Sequence, residues 1–397
     1  MATGIWMVPL SVVFKAHHLV GIAPYAFATS ALAALVSPLI FGAMADRHAP
    51  PVAVLRGLSV ASAVSVSLAA WSIKQGWSPG WVLLLVQIYA LCAAPTGSIV
   101  SAIVFSRLQD SQRQFGPIRA GATVGWMAGC WLVSALDADS SIVSQYTCAV
   151  IWLVLAMFTF LLPSVPPPES VGHPSLLQRL GWDALVLMKN RDHRAVFITA
   201  ALFSIPLAAF YPFTPLQMQQ LGFRHTSAWM TLAQTTELIA MFSLAGLFLK
   251  WRLKWIFVAG LGFGLLRFIL CAVNGKVWLL AGTSLHGLSF TLYFITAQIY
   301  INERVGPEWR ARAQAMMALM TNGIGSLIGY LGTGWWFNAC TPPNGTRWQF
   351  FWGGLAVVIV LVQLYFLTAY HGKYSGTTRP QGNRPEIKTP LPLGEMP

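Results

Sequence analysis

Charge is scarce in this chain. Of 397 residues only 9% are Asp, Glu, Lys or Arg, against about 25% in an ordinary soluble domain. So few charges cannot coat a water-soluble globule, which argues against a soluble enzyme. A hydrophobic content of 56% excludes a disordered chain as well. Acid is scarcest, with 12 Asp and Glu against 25 Lys and Arg and a net charge of +13. In a soluble protein that excess would raise nucleic acid as a partner; here the first question is where the basic residues stand relative to lipid. Cysteine is sparse too. Cys92, Cys130, Cys148, Cys271 and Cys340 are odd in number and none forms a CxxC pair, so neither a disulfide framework nor a zinc site is supported. The sequence also has no P-loop, HExxH or nucleophile elbow, which argues against an ATP-driven pump or an intramembrane protease. No metal and no cofactor is expected.

What is abundant is the apolar run. A bilayer core of roughly 30 Å needs about 20 apolar residues per helix. Twelve candidates lie between charged or Pro/Gly-rich breaks. In the first half they are residues 2–14, 22–44, 52–73, 80–105, 118–136 and 142–162; in the second, 195–216, 228–249, 255–273, 277–301, 311–337 and 348–370. The first is short, which predicts either a half-helix or a start upstream of Met1. Between the halves, Pro166, Pro167 and Pro168 cannot continue a helix in lipid. An amphipathic stretch follows, with Leu176, Leu180, Ala184 and Leu187 on one face and Arg179, Asp183 and Lys189 on the other. This predicts an all-α membrane protein: a six-helix bundle over 1–163, a cytoplasmic linker over 164–194, a second six-helix bundle over 195–372 and a flexible tail over 373–397. Six plus six spans around a midplane site is the layout of the major facilitator fold.

Basic residues orient the chain. Nineteen of the 25 fall on the side that also holds both termini, five fall on the other, and Arg267 lies within a span. By the positive-inside tendency both termini are cytoplasmic. The +13 therefore marks a membrane face, and no nucleic-acid partner is expected.

Polar residues inside spans are costly unless they are used or paired. Glu237 is the one acid placed mid-span, suited to carrying a proton or binding a polar substrate; the alternative is a fixed ion pair with Arg267 at a shared depth. In the segment FGPIRAGATVGW, Arg119, Thr123 and Trp126 fall at i, i+4 and i+7 on one helical stripe. A cation, a hydroxyl and a ring suit a polar, planar or sugar-bearing ligand, although Arg119 could simply be the last basic residue at the membrane surface. His286, Phe290 and Tyr293 make a second stripe, with Thr291 beside it; His286 reads equally as a ligand group or as a hydrogen-bonded packing residue. In GAMADR, Gly42 permits close helix approach, while Asp46 and Arg47 can bond a neighbouring helix end and latch one conformation.

These segments carry a family likeness. GAMADR is similar to the loop motif of the major facilitator superfamily. FGPIRAGATVGW, TSAWMTLAQTTELIAMF and HGLSFTLYFITAQIYINERVGPEWRARAQAMMALMTNGIGSLIGY resemble the bacterial nucleoside:proton symporters, in register from about Gly4 to Trp336. The resemblance implies a substrate site between the bundles. Its RxxxTxxF/W motif matches Arg119, Thr123 and Trp126, its QxxE pair matches Gln234 and Glu237, and its tenth-span residues match His286 and Phe290. Where the family commonly has an aspartate next, this chain has Thr291, so proton coupling would rest on Glu237 or be absent. Where some members have glutamine and asparagine in the seventh span, it has Ala208 and Tyr211. The alignment also implies further residues before Met1. The implied function is import of a nucleoside with a proton by a monomer in the bacterial cytoplasmic membrane. The alternatives are an oligosaccharide:proton symporter or an uncoupled facilitator of the same fold and, from another class, a non-transporting membrane sensor.

Overall fold

The computed structural model describes residues 1–45, 50–105, 111–162 and 182–372, and among them there is no strand. Helix covers each of the twelve apolar runs. In chain order these are α1 (Ala2–Ala16), α2 (Ala23–Ala45), α3 (Pro51–Lys74), α4 (Pro79–Ser101), α5 (Ser111–Ala135) and α6 (Val143–Phe158). Then come α7 (Arg191–Gln220), α8 (Leu232–Lys250), α9 (Leu253–Ala272), α10 (Lys276–Arg304), α11 (Trp309–Ala339) and α12 (Trp348–Ala369). Among the described residues, seven helices are long and apolar enough to cross a membrane. Proline at the first helical position starts α3 and α4, where the missing N–H costs nothing and the fixed φ suits the turn.

Several spans expected as single helices are broken, each with a local cause. α1 is two pieces, Ala2–Met7 and Leu10–Ala16, with Pro9 at the junction. α4 breaks before Pro95, between Ala93 and Thr96. α7 breaks at Ala208 and Ala209, where the ring of Pro212 would meet the Ala208 carbonyl of a continuous helix. α10 and α11 are interrupted by wider π-helical turns, Thr291–Ile295 and Leu319–Gly325.

Two large apolar cores form, with two small clusters beside them. Ile5, Phe14, Val66, Val86, Val133 and Trp152 belong to the first, which Ala208 and Tyr330 touch from the second half of the chain. Phe197, Phe213, Phe257, Phe268, Phe351 and Trp352 belong to the second, joined by Val8, Val12 and Cys130 from the first half. The short α1 is held by backbone proximity: a Cβ on Gly129 of α5 would stand 2.6 Å from the Met1 carbonyl oxygen. Small residues allow that kind of approach in lipid.

The linker departs from expectation. Trp182–Lys189 is a 3-10 segment, α7 begins at Arg191, and Ala184 is already part of the second core. Asp183 is tied to Arg312 near the start of α11 at 3.0 Å. Leu176, Arg179 and Leu180 lie outside the described residues, as do Asp46 and Arg47 of the expected latch and the tail over 373–397.

At the end of the molecule where α5 turns into α6, the halves are bonded together. The Asp139 carboxylate accepts from the Ser227 N–H at 2.6 Å, the Thr226 hydroxyl at 3.2 Å and the Ser134 hydroxyl at 3.3 Å. The Ala228 N–H donates to the Ser134 hydroxyl at 3.0 Å, and the Trp131 indole donates to the Thr231 hydroxyl at 3.1 Å. A carboxylate from the first half thus caps the short helix Thr226–Met230 of the second, meeting N–H groups that a helix start leaves unpaired.

Candidate functional site

Between the halves lies a cavity of about 330 Å³, at the lower end of the range of ordinary ligand pockets. α5 contributes Ala122, Thr123 and Trp126; α7 contributes Ser204, Leu207, Ala208 and Tyr211. α8 brings Gln234 and Glu237, α10 brings His286, Phe290 and Phe294, and α11 brings Thr321, Asn322, Ser326 and Tyr330. Within α8 and α10 the spacings are i, i+3 and i, i+4, the offsets that place residues on one helical face.

The helices pack closely enough to fix these side chains. A Cβ on Gly287 of α10 would run into the Glu237 amide nitrogen and the Ala233 carbonyl, so α8 and α10 meet backbone to backbone beside the site. The Thr236 hydroxyl ties them further by donating to the Ser284 carbonyl. On the wall, the Gln234 side-chain amide donates to the Tyr211 hydroxyl at 3.2 Å. Trp126 and Tyr211 put their ring centroids 5.7 Å apart across the two halves. Phe290 and Phe294 follow at 5.3 Å, and Phe294 stacks on Phe203 of α7. Glu237 is half-buried on the same wall and lies within electrostatic reach of Tyr211. The lining therefore combines apolar ring faces with a few placed polar groups, the usual make-up of a small-molecule site.

Seven of the nine residues expected to bind substrate come together here: Thr123, Trp126, Tyr211, Gln234, Glu237, His286 and Phe290. Arg119 is on α5, but its side chain lies outside the described residues; Gly42 is in α2. Thr291 is not on the wall. It opens the π turn of α10, fully buried, with a hydroxyl that has no partner among the described residues. The pairing of Arg267 with Glu237 is replaced by another. From α9 the buried guanidinium reaches across to α10, where it donates to the Nδ1 of His286, and it lies over the rings of Phe210 and Phe268. A shared depth is not a shared side, and Arg267 faces α7 and α10.

Sequence reasoning missed the α11 wall. In an α-helix Thr321 and Ser326, five apart, point in different directions. A π turn closes i to i+5 hydrogen bonds, and the Ser326 hydroxyl accordingly donates to the Thr321 carbonyl at 3.0 Å. The available signal was the cluster of uncharged polar residues, Thr321, Asn322 and Ser326, in an otherwise apolar run. No group of His, Cys, Asp or Glu among the described residues could hold a metal ion.

Paired helical cores around a cavity of ring faces and placed polar groups, in a chain with membrane-length helices, define a multi-pass secondary transporter of the major facilitator fold. The chain belongs to the nucleoside H+ symporter family, whose pattern matches residues 2–375. It is 29% identical over 384 residues to the "Putative nucleoside transporter YegT" of Escherichia coli (strain K12), covering 92% of this chain and 89% of that one. It is 26% identical over 377 residues to the nucleoside permease NupG of the same organism, covering 90% and 89%. The crystal structure of the nucleoside transporter NupG superposes with a TM-score of 0.82 at 25% identity, covering 93% of this chain and 95% of that one.

Proposed function

We infer that this protein carries nucleosides inward across the membrane together with protons, by alternating access of one cavity to the two sides. The observation that carries this reading is the placement of Glu237, a half-buried carboxylate on the wall of a cavity that both halves build. A carboxylate in that position can be protonated from one side, and loss of the proton to the other changes the charge that the ligand meets. Thr123, Gln234 and Asn322 offer hydroxyl and amide groups to a ribose, and Trp126, Tyr211 and Phe290 offer faces to a base. Access would alternate by rocking one half against the other, with the Asp139 cluster closing one end. The excess of basic residues on the side of the termini supports a cytoplasmic placement of both.

Glu237→Gln keeps the size of the side chain and removes its titration. In proteoliposomes this variant should lose accumulation of labelled nucleoside against a gradient and keep counterflow exchange. Accumulation that survives in Glu237→Gln would remove this residue as the proton carrier.

A further inference from the structure

Arg267 is a buried cation whose visible partner is not an acid. Its side chain is 1% exposed, its guanidinium lies 4.8 Å and 4.3 Å from the ring centres of Phe210 and Phe268, and its hydrogen bond goes to the Nδ1 of His286. Its Nε and its second terminal nitrogen are buried without partners among the described residues. A group so placed is costly unless it does something specific.

The chemistry of that bond is restrictive. A guanidinium has donors only, so the imidazole nitrogen facing it has to accept. An Nδ1 that accepts carries no proton, and the proton of the ring then sits on Nε2. The ring is fixed in other ways as well: Phe210 stacks on its face with centroids 4.0 Å apart, and Tyr211 meets it edge-on at 6.1 Å. Nε2 makes no hydrogen bond among the described residues, while His286 itself lines the cavity. What Arg267 leaves available to a ligand is therefore an N–H donor held at one place and in one direction.

A second donor stands beside it. The Tyr211 hydroxyl accepts from Gln234, which leaves its own O–H free to donate. The Trp126 indole N–H is buried away from the cavity, so that residue offers its ring alone. The aromatic end of the cavity thus presents the His286 and Tyr211 donors, and it is the end whose rings can face a base.

We propose that Arg267 is a positioning residue that holds His286 as an Nε2–H donor into the cavity, and that the site consequently prefers nucleosides whose base carries a carbonyl over those with an amino group at the same position. This rests on the nucleoside reading above and adds the base chemistry to it. An exocyclic amino group presents a donor to a donor and leaves both unpaired, whereas a carbonyl is matched. Inosine against adenosine, and uridine against cytidine, differ by that exchange at the exocyclic position. The adjacent ring nitrogen changes in the opposite sense, from acceptor in the amino bases to N–H donor in the carbonyl ones. The sign of the preference therefore reports that the donor faces the exocyclic group.

Two measurements on the full chain in proteoliposomes test the proposal separately. The first needs no ligand. With histidine labelled by 15N, the resonances assigned to His286 by their loss in His286→Gln should show an unprotonated Nδ1 and a protonated Nε2. A protonated Nδ1 would overturn the role of Arg267. The second is competition by the four nucleosides against uptake of labelled uridine. Wild type should favour inosine over adenosine and uridine over cytidine by roughly tenfold, the scale of one hydrogen bond gained or mismatched. Arg267→Met should lose that preference and Arg267→Lys, still a donor to Nδ1, should restore it. Equal inhibition by both members of each pair in wild type would overturn the base preference. If no nucleoside is taken up while the 15N spectrum is as expected, the nucleoside reading fails and the held donor stands. Should Arg267→Met not fold, the wild-type spectrum and the Arg267→Lys preference still decide.

Discussion

Tyr211 joins the two sides of the cavity more directly than any charged residue whose contacts are described. Its ring faces Trp126 across the halves and His286 within its own half, and its hydroxyl takes the Gln234 amide. Tyr211→Phe deletes the hydroxyl and keeps the ring, so it should leave the fold intact and release Gln234. A hydrogen bond of this kind is worth about 1 kcal/mol, which corresponds to a rise in KM for nucleoside uptake of roughly fivefold. Trp126→Ala removes the stacking face contributed by the first half and should weaken uptake more than Tyr211→Phe; uptake kinetics in proteoliposomes rank the two. At this scale the sequence revealed which residue types mattered but not their partners. Glu237 and Arg267 could be placed at one depth by counting along two spans, yet the side on which each faces depends on how α9 packs on α7 and α10, and no count along a chain contains that.

The helices themselves were largely legible, because a run of about 20 apolar residues has one economical use in a bilayer. All twelve runs are helical, and Pro9, Pro95 and Pro212 explain three of the breaks. The π turns were not legible: Thr291–Ile295 and Leu319–Gly325 contain no proline and follow from packing. Each stands at the site: Thr291 opens the first and is buried off the wall, while Thr321 and Asn322 of the second, and Ser326 just after it, line the cavity. Closure at the Asp139 end is likewise a matter between elements. Asp139→Ala removes a helix cap worth about 0.5–2 kcal/mol, and the cap spans the two halves. The variant should therefore shift the population towards a state open at that end. A cysteine in place of the buried Val12, beside this cluster, should then be labelled faster by a membrane-impermeant thiol reagent than in the Asp139 parent. An unchanged labelling rate would mean that other contacts hold the closure.

Across the whole molecule, each of the two large apolar cores takes only a few residues from the other half of the chain, and the cavity lies where they meet. That division is what alternating access requires, because each half can keep its own packing while the seam opens at one end and closes at the other. The charge distribution gives the molecule a direction as well. With nineteen of 25 basic residues on the side of the termini, a cysteine replacing Ser78, in the turn between α3 and α4, should react with an impermeant reagent added outside intact cells, and one in the tail should not. Wild-type protein in proteoliposomes with an acidic exterior and an alkaline lumen should accumulate labelled uridine above the external concentration, and a protonophore should return it to equilibrium. Accumulation that ignores the protonophore, or uptake that only ever equilibrates, would contradict proton-coupled transport through Glu237.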